Sequence, residues 1–270
     1  MCDSNKAELL NTYIINLNDS TTRMSEITAK LNAHKIQFNR IEAVDGRKSS
    51  PIDFPEYNPK RSINRHGRNL TGGEIACYLS HVKALKEFVE SGKKLALILE
   101  DDASFTSDFK SQLDQICDVI HKSENWDVIN LVQFRKEWQQ SWKHTNENTI
   151  SRAYYFPMLA TANLWSRDGA ISFINGKFGR TVSGPFDTEL RSFCALRGRG
   201  LSLEHPISYP SGIKSDIDDS QVTRTNAKGN RKNRPIKPRI VRHFPDYVNA
   251  YINMKIKSKN LQIFLNRYFK

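Results

Sequence analysis

Five consecutive apolar residues, Leu95-Ala96-Leu97-Ile98-Leu99, run straight into three acids, Glu100-Asp101-Asp102. A run without polar/apolar alternation fits a strand covered on both faces, as in a parallel sheet between helices. In such sheets ligands bind beyond the carboxyl ends of the strands, so the three acids fall where a site is expected. Adjacent carboxylates repel one another and need cations, hydrogen bonds or strong solvation to stay ionised together. A hard divalent ion, Mn²⁺ or Mg²⁺, with carboxylate oxygens on one side and a substrate diphosphate on the other, meets that need. The competing reading is a solvated acidic turn capping the next helix. Placement at the end of the most apolar segment favours the site.

The flanking sequence supplies the rest of such a sheet. Tyr13-Ile14-Ile15-Asn16-Leu17 is a short β-branched run closed by the turn cluster Asn18-Asp19-Ser20. Met24, Ile27 and Leu31 recur at helical spacing over 22–34, and 38–44 reads as a second strand closed by Asp45-Gly46. Residues 47–70, with three prolines and no period, read as a loop insertion. Thr71 and Glu74 have the spacing of a reciprocal capping box, opening a helix that Gly92 ends. A helix over 108–122 and a strand over 126–131 continue the alternation. The expectation is an α/β fold with a Rossmann-like, mostly parallel sheet flanked by helices.

Charge divides the chain unequally. Of 270 residues carrying a net +12, residues 1–223 hold 28 basic and 28 acidic side chains, whereas 224–270 hold 13 basic and one acidic, Asp246. The division predicts a neutral catalytic domain over 1–223 and a basic tail over 224–270. It argues against a nucleic-acid-binding core, whose basic footprint would lie on the folded domain. Residues 224–242 read as an extended linker. After Pro245, Tyr247, Val248, Tyr251 and Ile252, then Leu261, Phe264, Leu265 and Tyr268, recur at helical spacing, with a break expected near 257–260. Basic aromatic helices suit an anionic membrane surface, at about 1 kcal/mol per basic side chain; packing on the domain or on a partner subunit is the alternative. The four cysteines have no metal-ligand spacing and read as free, structural thiols of a reducing compartment. No basic start precedes an apolar run, and no stretch approaches the roughly 18 apolar residues of a membrane span. The expected location is cytoplasmic, or peripheral on a membrane from its cytosolic side.

Six blocks now stand in order: YIINLNDSTTRM from Tyr13, IEAVDGR from Ile41, GGEIACYLSHVKAL from Gly72, ILEDD from Ile98, and the later pair TANLWSRDGAISFI and GPFDTELRSF from Thr161 and Gly184. This order resembles the bacterial lipooligosaccharide glycosyltransferases of glycosyltransferase family 25, over roughly residues 12–217. The resemblance implies a GT-A type fold, a UDP-sugar donor, usually UDP-galactose, a divalent metal, inversion at the anomeric carbon and a lipid-linked oligosaccharide acceptor. It implies Asp102 as metal ligand, with Glu100 and Asp101 near the ribose, and raises Asp187 and Glu189, at a helix start after Gly184-Pro185, as candidates for the catalytic base or metal shell. An ordinary helix cap is the other reading of Asp187.

Weaker candidates complete the set. Arg23 would meet donor phosphates, Asn16 and Asp45 would read uracil or ribose, and His205 would complete a metal shell. Each has an ordinary reading: an exposed helix arginine, a good Asp-Gly turn, a lone histidine. His81 reads more readily as packed than catalytic. Asp216, Asp218 and Asp219 read as a solvated loop or a lid, and the aromatics of 138–142 and 154–160 as a sugar-stacking wall or as core. The competing functions are a retaining transferase and a non-enzymatic protein binding nucleic acid or membrane through its tail. Oligomeric state is left open.

Overall fold

The structure is a computed structural model that describes residues 9–133, 138–212 and 239–257, apart from the side chains of 239–242 and 257. The chain opens β1 (Leu10–Asn16), α1 (Thr21–Ala33), β2 (Asn39–Glu42). The expected loop insertion contains a helix, α2 (Pro59–His66), with Asn58 as its side-chain cap, proline at its first position and left-handed Gly67 at its end. Its face is strongly polar, which is why apolar periodicity did not reveal it. The capping box of Thr71 and Glu74 opens α3 (Gly72–Glu90) as expected. Next come β3 (Leu95–Glu100), β4 (Ala103–Phe105), α4 (Phe109–Ile120) and β5 (Val128–Asn130). A hairpin follows, β6 (Gln139–His144) and β7 (Thr149–Ala153), then β8 (Ala162–Ser166), α5 (Arg167–Asn175), α6 (Lys177–Arg180) and α7 (Phe186–Arg197). The described chain closes with β9 (Gly200–Leu203), β10 (Ser208–Pro210) and α8 (Arg239–Lys257).

Eight strands form one sheet in the order β2-β1-β3-β8-β5-β9-β7-β6, and β4 pairs separately with β10. Strand β1 is parallel to β2 and β3, and β5 to β9; β8 wedges antiparallel between β3 and β5, and β7 antiparallel between β9 and β6. Six strands therefore point one way and two the other, so the mainly parallel α/β expectation holds. The reversed β8 lies in the segment whose strand-to-helix switch was legible in the sequence, but its direction was not.

Strand β3 is covered on both sides, as its composition demanded. Leu95, Leu97 and Leu99 pack with α1 and α4 through Ile27, Leu31, Phe109 and Leu113, whereas Ala96 and Ile98 join Tyr78, Leu85, Phe173 and Phe193 of α3, α5 and α7 on the other face. The period-two alternation therefore sends Glu100, following Ala96 and Ile98, toward α3.

The tail departs from expectation at its start. Helix α8 begins at Arg239, inside the stretch expected to be extended, and carries Pro245 within it. It lies on α7 and α2: Ala250 is fully buried, Tyr247 stacks on Tyr155 with centroids 4.5 Å apart, and Asn253 Nδ2 donates to the Ala195 carbonyl at 2.9 Å. Asp246 turns inward, where it accepts from Ser192 at 3.0 Å and pairs with Arg65 at 3.0 Å. The tail residues 224–238, the expected break beyond Lys257, the second helical group and Asp216, Asp218 and Asp219 lie outside the described residues. Among the described residues no helix is long and apolar enough to cross a membrane.

Candidate functional site

The parallel register of β1 on β3 pairs Ile15 with Glu100, so the next residues, Asn16 and Asp101, meet at the carboxyl ends of two adjacent strands. There Asn16 Nδ2 donates to Asp101 Oδ2 at 2.7 Å, Arg40 donates to Asn16 Oδ1 at 2.7 Å, and Arg23 of α1 forms an ion pair with the other Asp101 oxygen. Asn16 and Asp101 are both buried. Their lone pairs and protons are committed to one another, which makes this a rigid floor with Arg23 held over it.

Glu100 takes the opposite direction. Its Oε1 lies 3.0 Å from His81 Nε2, and its backbone N–H donates to the Thr161 carbonyl at 2.9 Å across β8. His81 is 1 % exposed and stacks on Phe186, centroids 4.0 Å apart with planes 6° from parallel. Phe186 starts α7, so Asp187 follows beside this pair. Burial raises the Asp187 carboxyl above its ordinary range against the hydrogen bonds from Thr188, and the charge of Glu100 adds to the rise. Pro185, not Asp187, occupies the cap position of α7.

Asp102 differs from its neighbours. Its backbone carbonyl accepts from Ser211 N at 2.7 Å, which the β4–β10 pairing brings alongside, but its Oδ1 is buried without a hydrogen-bond partner among the described residues. Burial first, then the charge of Glu100, lifts its carboxyl to about 6, with Arg23 opposing the rise. A buried carboxylate oxygen lacking a donor is unusual and calls for an explanation. Coordination of a hard divalent cation supplies one, so the residues present fit such an ion with Asp102 as ligand.

The facing wall comes from the turn after β2. Ser80 Oγ of α3 accepts from Val44 N at 2.9 Å, and Gly46 and Gly72 approach so closely that a Cβ on Gly46 would sit 2.2 Å from the Gly72 carbonyl oxygen. This contact holds Asp45 at the lip, where Arg47 donates to it at 2.7 Å and to Asp19 at 2.6 Å. The hydrogen bonds from Arg47 hold the Asp45 carboxyl down at about 2. Asn16, Arg23, Asp45, Arg47, Glu100, Asp101 and Asp102 line one cleft with Cys77, Ser80 and His81 of α3.

Six of the nine residues singled out from the sequence thus meet in this cleft, and Asp187 flanks it beyond His81. Two do not. The exposed side chain of His205 does not line the cleft: the residue's backbone is bonded to Asn148 beside the β6–β7 turn, so the expected third metal ligand is not found there. Glu189 is buried away from Asp187, 3.3 Å from Arg65 Nε and 3.6 Å from His66 Nε2. Two residues along a helix rotate the side chain by about 200°, so these neighbouring acids enter different environments, which spacing in sequence did not distinguish. The aromatics of 154–160 pack rather than line the cleft: Tyr154 and Tyr155 are buried against Tyr247 and Trp138, and Trp142 lies under the Arg152 guanidinium. Sequence reasoning missed Arg47 and Cys77. Arg47 ends the AVDGR block, and Cys77 stands four residues before His81, two signals present but not weighed. Cys117 and Cys194 are buried thiols in no disulfide, as expected, whereas Cys77, likewise in no disulfide, lines the cleft; Cys2 lies outside the described residues.

Residues 9–169 match the model of "Glycosyltransferase family 25 (LPS biosynthesis protein)". Similar proteins include mouse procollagen galactosyltransferase 2, 29 % identical over 130 residues, covering 46 % of this chain and 21 % of that protein. Human inactive glycosyltransferase 25 family member 3 is 34 % identical over 128 residues, 44 % of this chain and 21 % of that one. A glycosyltransferase 25 family member of Aedes aegypti is 28 % identical over 149 residues, 53 % and 24 %. The matched segments span about a fifth to a quarter of these relatives. Among solved structures, a glycosyltransferase involved in the glycosylation of the major capsid of PBCV-1 aligns over 80 % of this chain and 99 % of that one at 10 % identity, with a TM-score of 0.41. The family match contains the whole cleft, from β1 through the acids that follow β3, and the chain belongs to glycosyltransferase family 25.

Proposed function

We propose that this protein is an inverting, divalent-metal-dependent glycosyltransferase of GT-A type that moves a sugar, galactose, from its UDP donor to a lipooligosaccharide or related lipid-linked glycan. The observation that carries the reading is the buried, unpartnered Oδ1 of Asp102 at the carboxyl end of β3, in a cleft that belongs to a glycosyltransferase family. Asp102 would hold Mn²⁺ or Mg²⁺, which when bound supplies Lewis-acid neutralisation of the leaving diphosphate.

The surrounding groups divide the remaining work. Arg23, fixed by Asp101, and Arg47 at the lip present cationic donors toward the diphosphate, for which arginine forks are well suited. Asn16, Asp45 and Glu100 line the space for nucleoside and ribose. Asp101 acts through Asn16 and Arg23, because both of its oxygens are already engaged. In-line displacement needs a base for the acceptor hydroxyl. Asp187 takes that role: burial and Glu100 make its carboxylate more basic than a solvated one. Glu189, held by Arg65 and His66, supports α7 instead.

Membrane positioning follows from α8. Phe244, Tyr251, Ile252 and Ile256 are exposed on it with Lys255 among them, and its single acid faces inward, so the described outward surface is apolar with a basic side chain. That combination suits an anionic surface on the cytosolic face of the inner membrane, where a lipid-linked acceptor resides. A screen of UDP-sugars with Mn²⁺, read as UDP release with the product's anomeric configuration assigned by NMR, tests the reading. We expect UDP-galactose to be preferred and the configuration inverted; a retained configuration or release confined to non-UDP donors overturns it.

A further inference from the structure

Cys77 and His81 stand four residues apart in α3 and therefore share the helix face that meets the end of β3. Glu100 arrives there from β3. The Cys77 sulfur, one ring nitrogen of His81 and one Glu100 oxygen all lie within 4.8 Å of one another. His81 Nε2 and Glu100 Oε1 are 3.0 Å apart, close to the roughly 3.3 Å that separates two ligands of a tetrahedral Zn²⁺ with bonds of about 2 Å. We propose that Cys77, His81 and Glu100 form a second cation site, for a borderline-soft divalent ion of the Zn²⁺ class, distinct from the oxygen ligand offered by Asp102.

The donor set decides the class. Thiolate and imidazole select Zn²⁺ over Mn²⁺ or Mg²⁺, which prefer carboxylate and water oxygens. All three side chains line the cleft, so an ion has an entry path and a fourth coordination position open to solvent. The supports are firm: His81 is stacked on Phe186, the Glu100 backbone is bonded to Thr161, and the capping box of Thr71 and Glu74 fixes the start of α3 one turn before Cys77. Burial, and then the charges of Glu100, Asp187, Glu74 and Asp102, push the Cys77 thiol up and keep it protonated without metal, while the same negative charges favour an arriving cation. Binding releases the Cys77 proton to solvent and involves no redox change.

Occupancy would draw the Glu100 carboxylate out of the donor space, so Zn²⁺ inhibits turnover. That consequence rests on the proposed transferase reading; the binding does not. The test is titration of the metal-free full-length protein with Co²⁺ at neutral pH, following the thiolate-to-cobalt charge-transfer absorption. We expect a band that saturates at one equivalent, is bleached by Zn²⁺ and survives excess Mg²⁺. Cys77→Ser abolishes it, His81→Gln weakens Co²⁺ binding by more than about tenfold, and Asp102→Asn leaves it intact. Circular dichroism confirms that each variant is folded, and the two independent ligand variants guard against misfolding of either. Absence of the band, its persistence in folded Cys77→Ser, or its loss in folded Asp102→Asn overturns the second site. A normal band with no UDP-sugar turnover leaves the site standing and refutes the transferase reading alone.

Discussion

Asp246 is the one acid of the basic segment, and its replacement by alanine tests how α8 is held. Its side chain is 5 % exposed, lies 3.0 Å from Arg65 Nη2 and from Ser192 Oγ, and has His243 Nδ1 at 3.7 Å. Removing one partner of a buried charge pair costs about 3–5 kcal/mol. Arg65 is 25 % exposed and keeps Glu189 at 3.3 Å, so the remaining charge is partly compensated and we expect about 2–3 kcal/mol for Asp246→Ala. If α8 opens on its own, amide exchange over 239–257 accelerates roughly 30- to 140-fold. If it unfolds with the domain, the midpoint falls by roughly 4–12 °C. Burial alone would raise the Asp246 carboxyl, but nearby His243, with Arg65 and Ser192, more than offsets it and holds it below its ordinary value. A lowered folded value stabilises above the unfolded one and is lost as pH falls through the folded one, so the gap between wild type and variant should close in acid. Hydrogen exchange by mass spectrometry with parallel thermal melts reads both outcomes. Exchange within twofold of wild type and an unchanged midpoint would refute the argument that this pair docks α8.

Three further outcomes follow from the cleft and the tail. The Asp102 carboxyl is raised from 3.8 to about 6, so the folded state binds the extra proton across that window and loses stability as pH rises through it, by up to about 3 kcal/mol. Metal-free Asp102→Asn should therefore melt higher than wild type at pH 7, and a lower midpoint would contradict the burial argument. Arg47→Ala should raise the donor KM roughly 10- to 100-fold, as expected for a lost charged hydrogen bond, while leaving the melting temperature within a degree or two; an unchanged KM would remove Arg47 from the donor site. Full-length protein should float with anionic liposomes while a chain truncated after Asp219 stays behind, and equal flotation of the two would dismiss the membrane role of the tail.

The central strand and its acids were legible because both-face burial and a charge cluster leave unambiguous marks: LALIL has no polar gap, and EDD cannot be core. The Thr71 and Glu74 box was equally readable, since its spacing has one local use. Helix α2 was not, because its stability comes from the Asn58 cap and from contacts of Arg65 with α7 and α8 rather than from an apolar stripe. The direction of β8 was hidden for a different reason: strand composition records burial, not polarity of the neighbouring chain. At the site, proximity in sequence was the wrong guide for Glu189, whose helix turn faces Arg65, and for His205. Asn16 and Asp101 were found separately, but their partnership comes from the parallel register of β1 on β3, which no local pattern encodes.

The most direct test is Mn²⁺-dependent UDP release from UDP-galactose by wild type and Asp102→Ala, with thermal melts confirming that both are folded. The account predicts metal-dependent release by wild type and its loss, by at least about a hundredfold, in the variant. Undiminished turnover by folded Asp102→Ala, or wild-type turnover indifferent to chelation, would contradict it.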